Sequence, residues 1–245
     1  MKSFLIRGVE SLLREPAIKV ALWKIVNRPD SADIIDKISS TNPWVNLWSK
    51  SADQTSEYIM NNMLTVPFYK ARTDLFDAVL SKTDPKGLFM EFGCGWEAES
   101  INYLARHIKG DIHGFDSFEG LPDDWFGKIK KGDLTSKGKL PSVSENVILY
   151  AGWFDKTLPE FIAAHKEQVS FLHVDCDIYS STKTIFDLLD KQIGPGTVIQ
   201  FDEYFNYPGW LQHEYKAFQE FISRSGLSYE YLGYTYEYSV AVIIK

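Results

Sequence analysis

Short apolar runs alternate with amphipathic stretches of helix length from Gly87 to the end of the sequence. Runs of about four to eight apolar residues, each followed by apolar positions at helical spacing, are typical of strands that alternate with helices. The alternation predicts an α/β fold with a doubly wound, mostly parallel sheet and helices on both faces. The seven runs are GLFMEFGCG, DIHGFDSF, NVILYAGWF, VSFLHVDCD, GTVIQFDEY, YEYLGYTYE and SVAVIIK.

The N-terminal part of the chain follows a different pattern. Apolar side chains recur at helical spacing between Phe4 and Leu13, which predicts a short amphipathic helix. Residues 1–28 carry six Lys or Arg against two Glu. This helix is a candidate for docking on the main domain or on a second copy of the chain, with a membrane-surface role as the alternative. We therefore divide the chain into a helical appendage or lid, residues 1–70, and a main domain, residues 71–245.

Composition and charge restrict the function classes. The 245 residues are 44% hydrophobic, enough for one substantial core. The formal charge of −7 repels phosphates, so we expect no nucleic-acid partner. No apolar run approaches the roughly 20 residues that span a bilayer, and the N-terminus lacks the pattern of a secretory signal, so we expect a cytoplasmic protein. The two cysteines, Cys94 and Cys176, form no zinc-type pattern and are expected to be reduced.

Acidic residues follow most of the apolar runs. Ligands of parallel α/β sheets bind outside the carboxyl ends of the strands, so residues just after a run are site candidates. Turn residues such as Gly, Asn, Ser or Pro would be more usual there, so the acids indicate chemistry. The seven candidates are Glu91, Asp116, Trp153, Asp175, Asp177, Asp202 and Glu203.

The stretch MEFGCGWEAES predicts a ligand-binding loop between a strand and a helix. Gly93 and Gly95 permit a tight turn and a close approach of a ligand to the backbone. With Ala98 they also satisfy the G-x-G-x-x-A fingerprint of dinucleotide-binding proteins, and Asp116 follows at the distance of a ribose-binding acid. The loop is therefore of the nucleotide type.

Three interpretations of this loop are open. A NAD-dependent oxidoreductase fits the spacing, and Tyr179 and Lys183 match its Tyr-x-x-x-Lys pair. The acids Glu91, Glu97 and Glu99 crowd the loop, however, and they favour a cationic ligand such as S-adenosylmethionine over a pyrophosphate. A non-catalytic nucleoside-binding protein of the same fold is the third interpretation.

Three further segments carry a family resemblance. HGFDSFEGLP, VDCDIYSSTK and FDEYFNYPGW occur in that order, and the resemblance covers about residues 88–245. The chain resembles the class I S-adenosylmethionine-dependent methyltransferases, and within them the macrocin O-methyltransferase family, whose members methylate sugar hydroxyls in antibiotic and related pathways. The resemblance implies a Rossmann-like, seven-stranded sheet whose C-terminal strand, SVAVIIK, is antiparallel.

The acids after the fourth and fifth runs are interpreted as a metal site. We expect neighbouring strand ends to bring Asp175, Asp202 and Glu203 together, and without a basic neighbour they would share protons or hold a hard divalent cation. The resemblance implies Mg²⁺ on these three residues and makes Asp175 the catalytic base as well. The family usually has Asp where this chain has Glu203, which changes the reach of that ligand.

The remaining candidates are assigned as follows. His213, after the fifth run, is a secondary catalytic candidate. His173 is expected to be a core histidine facing the helical layer, and Asp177 serves a turn or helix cap at least as readily as a site. The expected cofactor-binding residues are Glu91, Gly93, Gly95, Asp116, Ser117, Phe118, Gly152 and Trp153.

The sequence therefore predicts a Mg²⁺-assisted, S-adenosylmethionine-dependent O-methyltransferase. Its acceptor would be a hydroxyl of a sugar, a glycoside or another small molecule in natural-product or surface-glycan biosynthesis. The NAD-dependent oxidoreductase and the non-catalytic nucleoside-binding protein are the alternatives.

Overall fold

A computed structural model describes residues 41–245. The amphipathic helix predicted between Phe4 and Leu13 lies outside the described residues, and the division of the chain at residue 70 stays a prediction. Within residues 41–245, no helix combines the length and the hydrophobicity needed to cross a lipid bilayer.

One mixed sheet of eight strands forms the centre of the described chain. Its order is β1-β7-β8-β6-β5-β2-β3-β4. Strand β8 runs antiparallel to both of its neighbours, and the other pairs are parallel. The strands are β1 (Phe68–Tyr69), β2 (Leu88–Phe92), β3 (Ile112–Asp116), β4 (Val147–Ala151), β5 (Val169–Val174), β6 (Val198–Phe201), β7 (Tyr229–Thr235) and β8 (Val240–Ile244).

This sheet confirms the predicted Rossmann-like fold. Each of the seven apolar runs forms one strand, β2 to β8, and the last is antiparallel as predicted. The eighth strand, β1, has only two residues and pairs with β7 at the edge of the sheet. Two residues carry no alternation of apolar and polar positions, so the sequence does not predict this strand.

Six α-helices and one 3-10 turn, Trp210–Gln212, are described. The helices are α1 (Pro43–Asn62), α2 (Arg72–Leu80), α3 (Glu99–His107), α4 (Phe154–Ala164), α5 (Tyr179–Leu188) and α6 (Glu214–Ser225).

The core has two layers, one on each face of the sheet. On one face α2 and α3 pack on β2 and β5 through residues that include Phe76, Leu104 and Phe171. On the other face Phe186 and Phe218, from α5 and α6, pack on β6. Apolar burial on both faces is the main stabilising term for such a sheet.

A polar row crosses the sheet beneath α2. Glu91, His173 and Gln200 are in register on β2, β5 and β6, and all three are fully buried. Nδ1 of His173 lies 2.9 Å from Oε2 of Glu91, and the His173 ring meets the edge of Phe76. His173 thus faces the helical layer as a core histidine, in agreement with the prediction.

We expect the free energy of unfolding to fall as the pH drops from about 6.5 to about 4, partly because of His113 on β3. Burial, with repulsion from His165 as a smaller cause, lowers the pKa of His113 from 6.5 to about 4. The unfolded chain therefore binds this proton more tightly, so stability is full above the unfolded pKa and is lost as the pH falls toward the folded pKa. Between pH 7.5 and pH 5 the loss is about 1–2 kcal/mol.

Urea unfolding of the wild type and of His113→Gln at these two pH values measures the contribution. The variant should lose less stability than the wild type on acidification. His107→Gln, at an exposed position at the end of α3, is the matched control. An equal loss in the wild type and His113→Gln would refute the assignment.

Candidate active site

The predicted strand-end acids meet at one edge of the sheet, and an arginine lies between two of them. Asp175 follows β5 and Asp202 follows the neighbouring β6. Nη1 of Arg72, the first residue of α2, lies 3.1 Å from Oδ2 of Asp175 and 3.1 Å from Oδ2 of Asp202. The Oγ of Ser239 donates to Oδ1 of Asp202 at 3.0 Å. A guanidinium therefore bridges the two carboxylates.

This bridge corrects one premise of the sequence analysis. The prediction that the carboxylates have no basic neighbour is wrong, because Arg72 contacts two of them. Arg72 precedes Asp175 by 103 residues. No local spacing connects residues so far apart, so the sequence gives no signal for this pair.

The electrostatics of the pair follow from burial and from neighbouring charges. Burial, followed by repulsion from Asp202 and Glu203, raises the pKa of Asp175, and Arg72 offsets part of that rise. Attraction by Asp202 is the largest cause that raises the pKa of Arg72. Arg72 therefore stays charged, and the Asp175 carboxylate is more basic than an ordinary aspartate.

A second acidic group lies beside the first. Glu214, at the start of α6, accepts the backbone N–H of Asp177 through Oε1 at 3.1 Å and that of Glu203 through Oε2 at 3.2 Å. Burial, followed by repulsion from Glu203, raises the pKa of this fully buried carboxyl. Asp177 has a positive φ of 68°, so it also forms the turn after β5. The sequence gives no signal for Glu214 as a site residue, because an acid in the first turn of a helix is ordinary.

The predicted magnesium site does not fit this arrangement. Among the described residues, two groups offer three ligand atoms within 4.8 Å of one another, namely His173, Asp175 and Asp202, and Asp175, Asp177 and Glu203. Neither group is the predicted set of Asp175, Asp202 and Glu203. The guanidinium of Arg72 also stands where a hard cation would bridge Asp175 and Asp202, and like charges exclude one another there.

The glycine loop after β2 forms a cradle that suits a nucleoside cofactor. Gly93 has φ +94°, and a Cβ there would lie 1.8 Å from the carbonyl oxygen of Asp175, so only glycine fits. Gly95 has φ +61°, and a Cβ there would meet no heavy atom within 4 Å. Asp116 accepts the Gly95 N–H at 2.8 Å and the Phe118 N–H at 2.6 Å. The carboxylate keeps further lone pairs for ribose hydroxyls.

The other predicted cofactor residues lie in different surroundings. Gly152 is at the cradle, because its N–H donates to the carbonyl oxygen of Asp116 at 2.9 Å. Trp153 is the half-buried residue that precedes α4. Ser117 caps its own turn through the Gly120 carbonyl, and Phe118 is buried. Their contact with a cofactor stays a prediction.

Glu91 lies below the cradle. It is fully buried, and its two oxygens meet Ser100 Oγ at 2.9 Å and His173 Nδ1 at 2.9 Å. The carboxylate thus holds β2 against α3 and β5. A direct contact of Glu91 with a cofactor also stays a prediction.

His213 lies among aromatic rings at the start of α6. Its ring centroid is 6.0 Å from that of Tyr207 and 6.4 Å from that of Trp125. The Tyr207 hydroxyl donates to the backbone oxygen of Glu203 at 3.4 Å. This hydrogen bond connects the aromatic rings to Glu203, whose backbone N–H is bound by Glu214. Burial lowers the pKa of His213, so the ring is neutral near pH 7 and can accept a proton.

Comparisons with known proteins agree with this fold. Residues 90–204 match the model of a family described as a methyltransferase domain. No curated protein sequence matches the chain. The calicheamicin methyltransferase CalS11 has a similar structure, with a TM-score of 0.59, 19% identity and coverage of 89% of this chain and 93% of that one. The apo structure of CalS11, described as a TDP-rhamnose 3'-O-methyltransferase, gives a TM-score of 0.53, 18% identity and coverage of 89% and 95%.

Proposed function

We propose that this chain is a class I S-adenosylmethionine-dependent methyltransferase that methylates a hydroxyl of a sugar or another small molecule. The observation that carries the proposal is the position of Asp175. This basic carboxylate follows β5 directly, and its backbone touches the glycine loop of the cofactor cradle at Gly93. The description of CalS11 as a sugar O-methyltransferase supports the acceptor class.

The chain's own residues bind and orient the two reactants. Asp116 accepts the ribose hydroxyls, and the open space above Gly95 admits the nucleoside against the backbone. When bound, S-adenosylmethionine supplies a methyl group on a positively charged sulfur. The acids around the loop suit that cation better than they suit a pyrophosphate.

Asp175 takes the proton from the acceptor hydroxyl as the hydroxyl oxygen bonds to the methyl carbon and the carbon–sulfur bond breaks, with its electron pair left on sulfur. Among the described residues, the ion pair with Arg72 uses Oδ2 of Asp175, so Oδ1 is the oxygen that receives the proton. Arg72 fixes the carboxylate for this transfer. No magnesium step enters the mechanism, because the predicted ligand set does not fit.

The acceptor is expected to bind beside His213. Aromatic rings line many small-molecule sites, and Trp125, Phe126 and Tyr207 form such a wall here. Neutral His213 is a second candidate for the base that receives the hydroxyl proton. The lid at residues 1–70, and its pairing with a second copy of the chain, stay predictions.

The oxidoreductase alternative depends on Tyr179 and Lys183. The Tyr179 hydroxyl donates to Glu220 at 2.7 Å, and Lys183 pairs with Asp187 one turn further along α5. These contacts engage Tyr179 with the middle of α6 and Lys183 with its own helix α5, rather than with the residues of the glycine loop. The pair therefore gives the oxidoreductase no support from geometry.

Isothermal titration calorimetry with S-adenosylhomocysteine and with NADH tests the proposed function. We expect saturable binding of S-adenosylhomocysteine and no binding of NADH, because the acidic loop repels a pyrophosphate. NADH binding alone would contradict the proposal. A screen over glycosides then separates an enzyme from a non-catalytic nucleoside-binding protein, since the latter binds the cofactor without turnover.

A further inference from the structure

We propose that Arg72 takes the place of a divalent cation in this site, so that the chain holds its two strand-end aspartates with a guanidinium and works without a bound metal. The proposal deepens the proposed function, and its claim of activity without a metal rests on that function. The placement of Arg72 as the bridging cation does not depend on methyl transfer.

Arg72 lies in the bridging position between the two aspartates. Nη1 of Arg72 is equidistant, at 3.1 Å, from one oxygen of Asp175 and one oxygen of Asp202. A metal that bridged these two oxygens would occupy the position that Nη1 of Arg72 holds. Ser239 holds the other oxygen of Asp202 at 3.0 Å, and Asp202 is 4% exposed, so this carboxylate cannot turn away to form a separate site.

The start of α2 holds Arg72 in place beside the aspartates. Arg72 begins α2, and the carboxylate of Asp74 accepts the backbone N–H of Ala71 at 3.2 Å, which fixes the start of that helix. Leu75 and Phe76, in the next turn, are fully buried. The hydrogen bond and the buried turn fix the position from which the Arg72 side chain reaches the two aspartates.

Negative charge surrounds the Arg72 guanidinium. Asp202, Asp175, Glu91 and Glu203 all attract Arg72. Removing the guanidinium would leave carboxylates buried without a counter-ion, whereas adding a divalent cation beside it would place like charges in contact. With Arg72 in place the aspartate pair has its counter-ion.

This assignment has a consequence for the acceptor. A bridging metal can bind two neighbouring hydroxyls of a sugar at once and orient both. A guanidinium already bonded to two carboxylates offers hydrogen-bond donors and no such chelation. The chain should therefore accept an isolated hydroxyl as readily as one of a vicinal pair.

Measurement of Mn²⁺ binding tests the proposal without any need for turnover. Binding is monitored as the loss of the electron paramagnetic resonance signal of free Mn²⁺. Three proteins are compared, the wild type, Arg72→Met and the double variant Arg72→Met/Asp202→Asn. We expect no saturable binding to the wild type, affinity at least about tenfold higher in Arg72→Met, and loss of that gain in the double variant.

Two results would overturn the proposal. One is saturable binding of Mn²⁺ to the wild type, which needs no variant and so decides even if Arg72→Met does not fold. The other is a folded Arg72→Met that binds Mn²⁺ no more tightly than the wild type. Thermal unfolding reports folding, and Arg72→Gln replaces Arg72→Met if the latter fails to fold. Failure to bind S-adenosylhomocysteine would instead contradict the proposed function and leave the manganese result to be judged by itself.

Discussion

Asp175→Asn is expected to lower the rate of methyl transfer by about 10²- to 10⁴-fold while the affinity for S-adenosylhomocysteine stays nearly unchanged. The amide keeps the size of the side chain but cannot take the proton of the acceptor hydroxyl. The cradle contacts Asp175 through its backbone oxygen beside Gly93, and the substitution leaves that atom in place. Initial rates with an acceptor from the glycoside screen, together with calorimetry, measure the two quantities.

Asp190→Asn is the matched control, because this aspartate is exposed beyond the end of α5. It should leave both rate and affinity unchanged. A full rate in Asp175→Asn would show that another group receives the proton. His213→Asn then becomes the decisive variant, since His213 is the second candidate base.

Asp116→Asn is expected to weaken the binding of S-adenosylhomocysteine by about 10- to 100-fold. The carboxylate holds the Gly95 and Phe118 N–H groups and is the expected partner of the ribose hydroxyls. The amide has one acceptor oxygen in place of two and carries no charge, so charge-assisted hydrogen bonds are lost. Calorimetry on the wild type and the variant gives the ratio directly.

Asp111→Asn serves as the control for this variant. Asp111 is exposed and directly precedes β3, the strand that ends in Asp116. Unchanged affinity in Asp116→Asn would remove this residue from the cofactor site. Thermal unfolding of the same protein would show whether a weaker affinity comes instead from a disordered loop.

The fold is largely predictable from the sequence because its strands are buried. The runs at Leu88–Phe92 and Val169–Val174 are buried at every position, so hydrophobicity alone reveals them. Strand β1 lacks this signal, since Phe68 is half exposed and the strand ends after Tyr69.

The sequence predicts only those site residues that come directly after a strand. Asp175 and Asp202 are found by rule, because each comes directly after a strand of a parallel sheet. Arg72 and Glu214 escape that rule, since each lies at the start of a helix and meets the acids only after folding. The error about the basic neighbour therefore comes from an ion pair that joins distant parts of the chain.

The two hydrogen bonds of Glu214 have a mechanical consequence. One carboxylate grips the amide of Asp177 in the loop after β5 and the amide of Glu203 in the loop after β6. Glu214 thus connects the two loops to the first turn of α6. In the proposed function the acceptor binds beside His213, the residue before Glu214, so these hydrogen bonds connect its binding place to the turn that carries Asp177, two residues from Asp175.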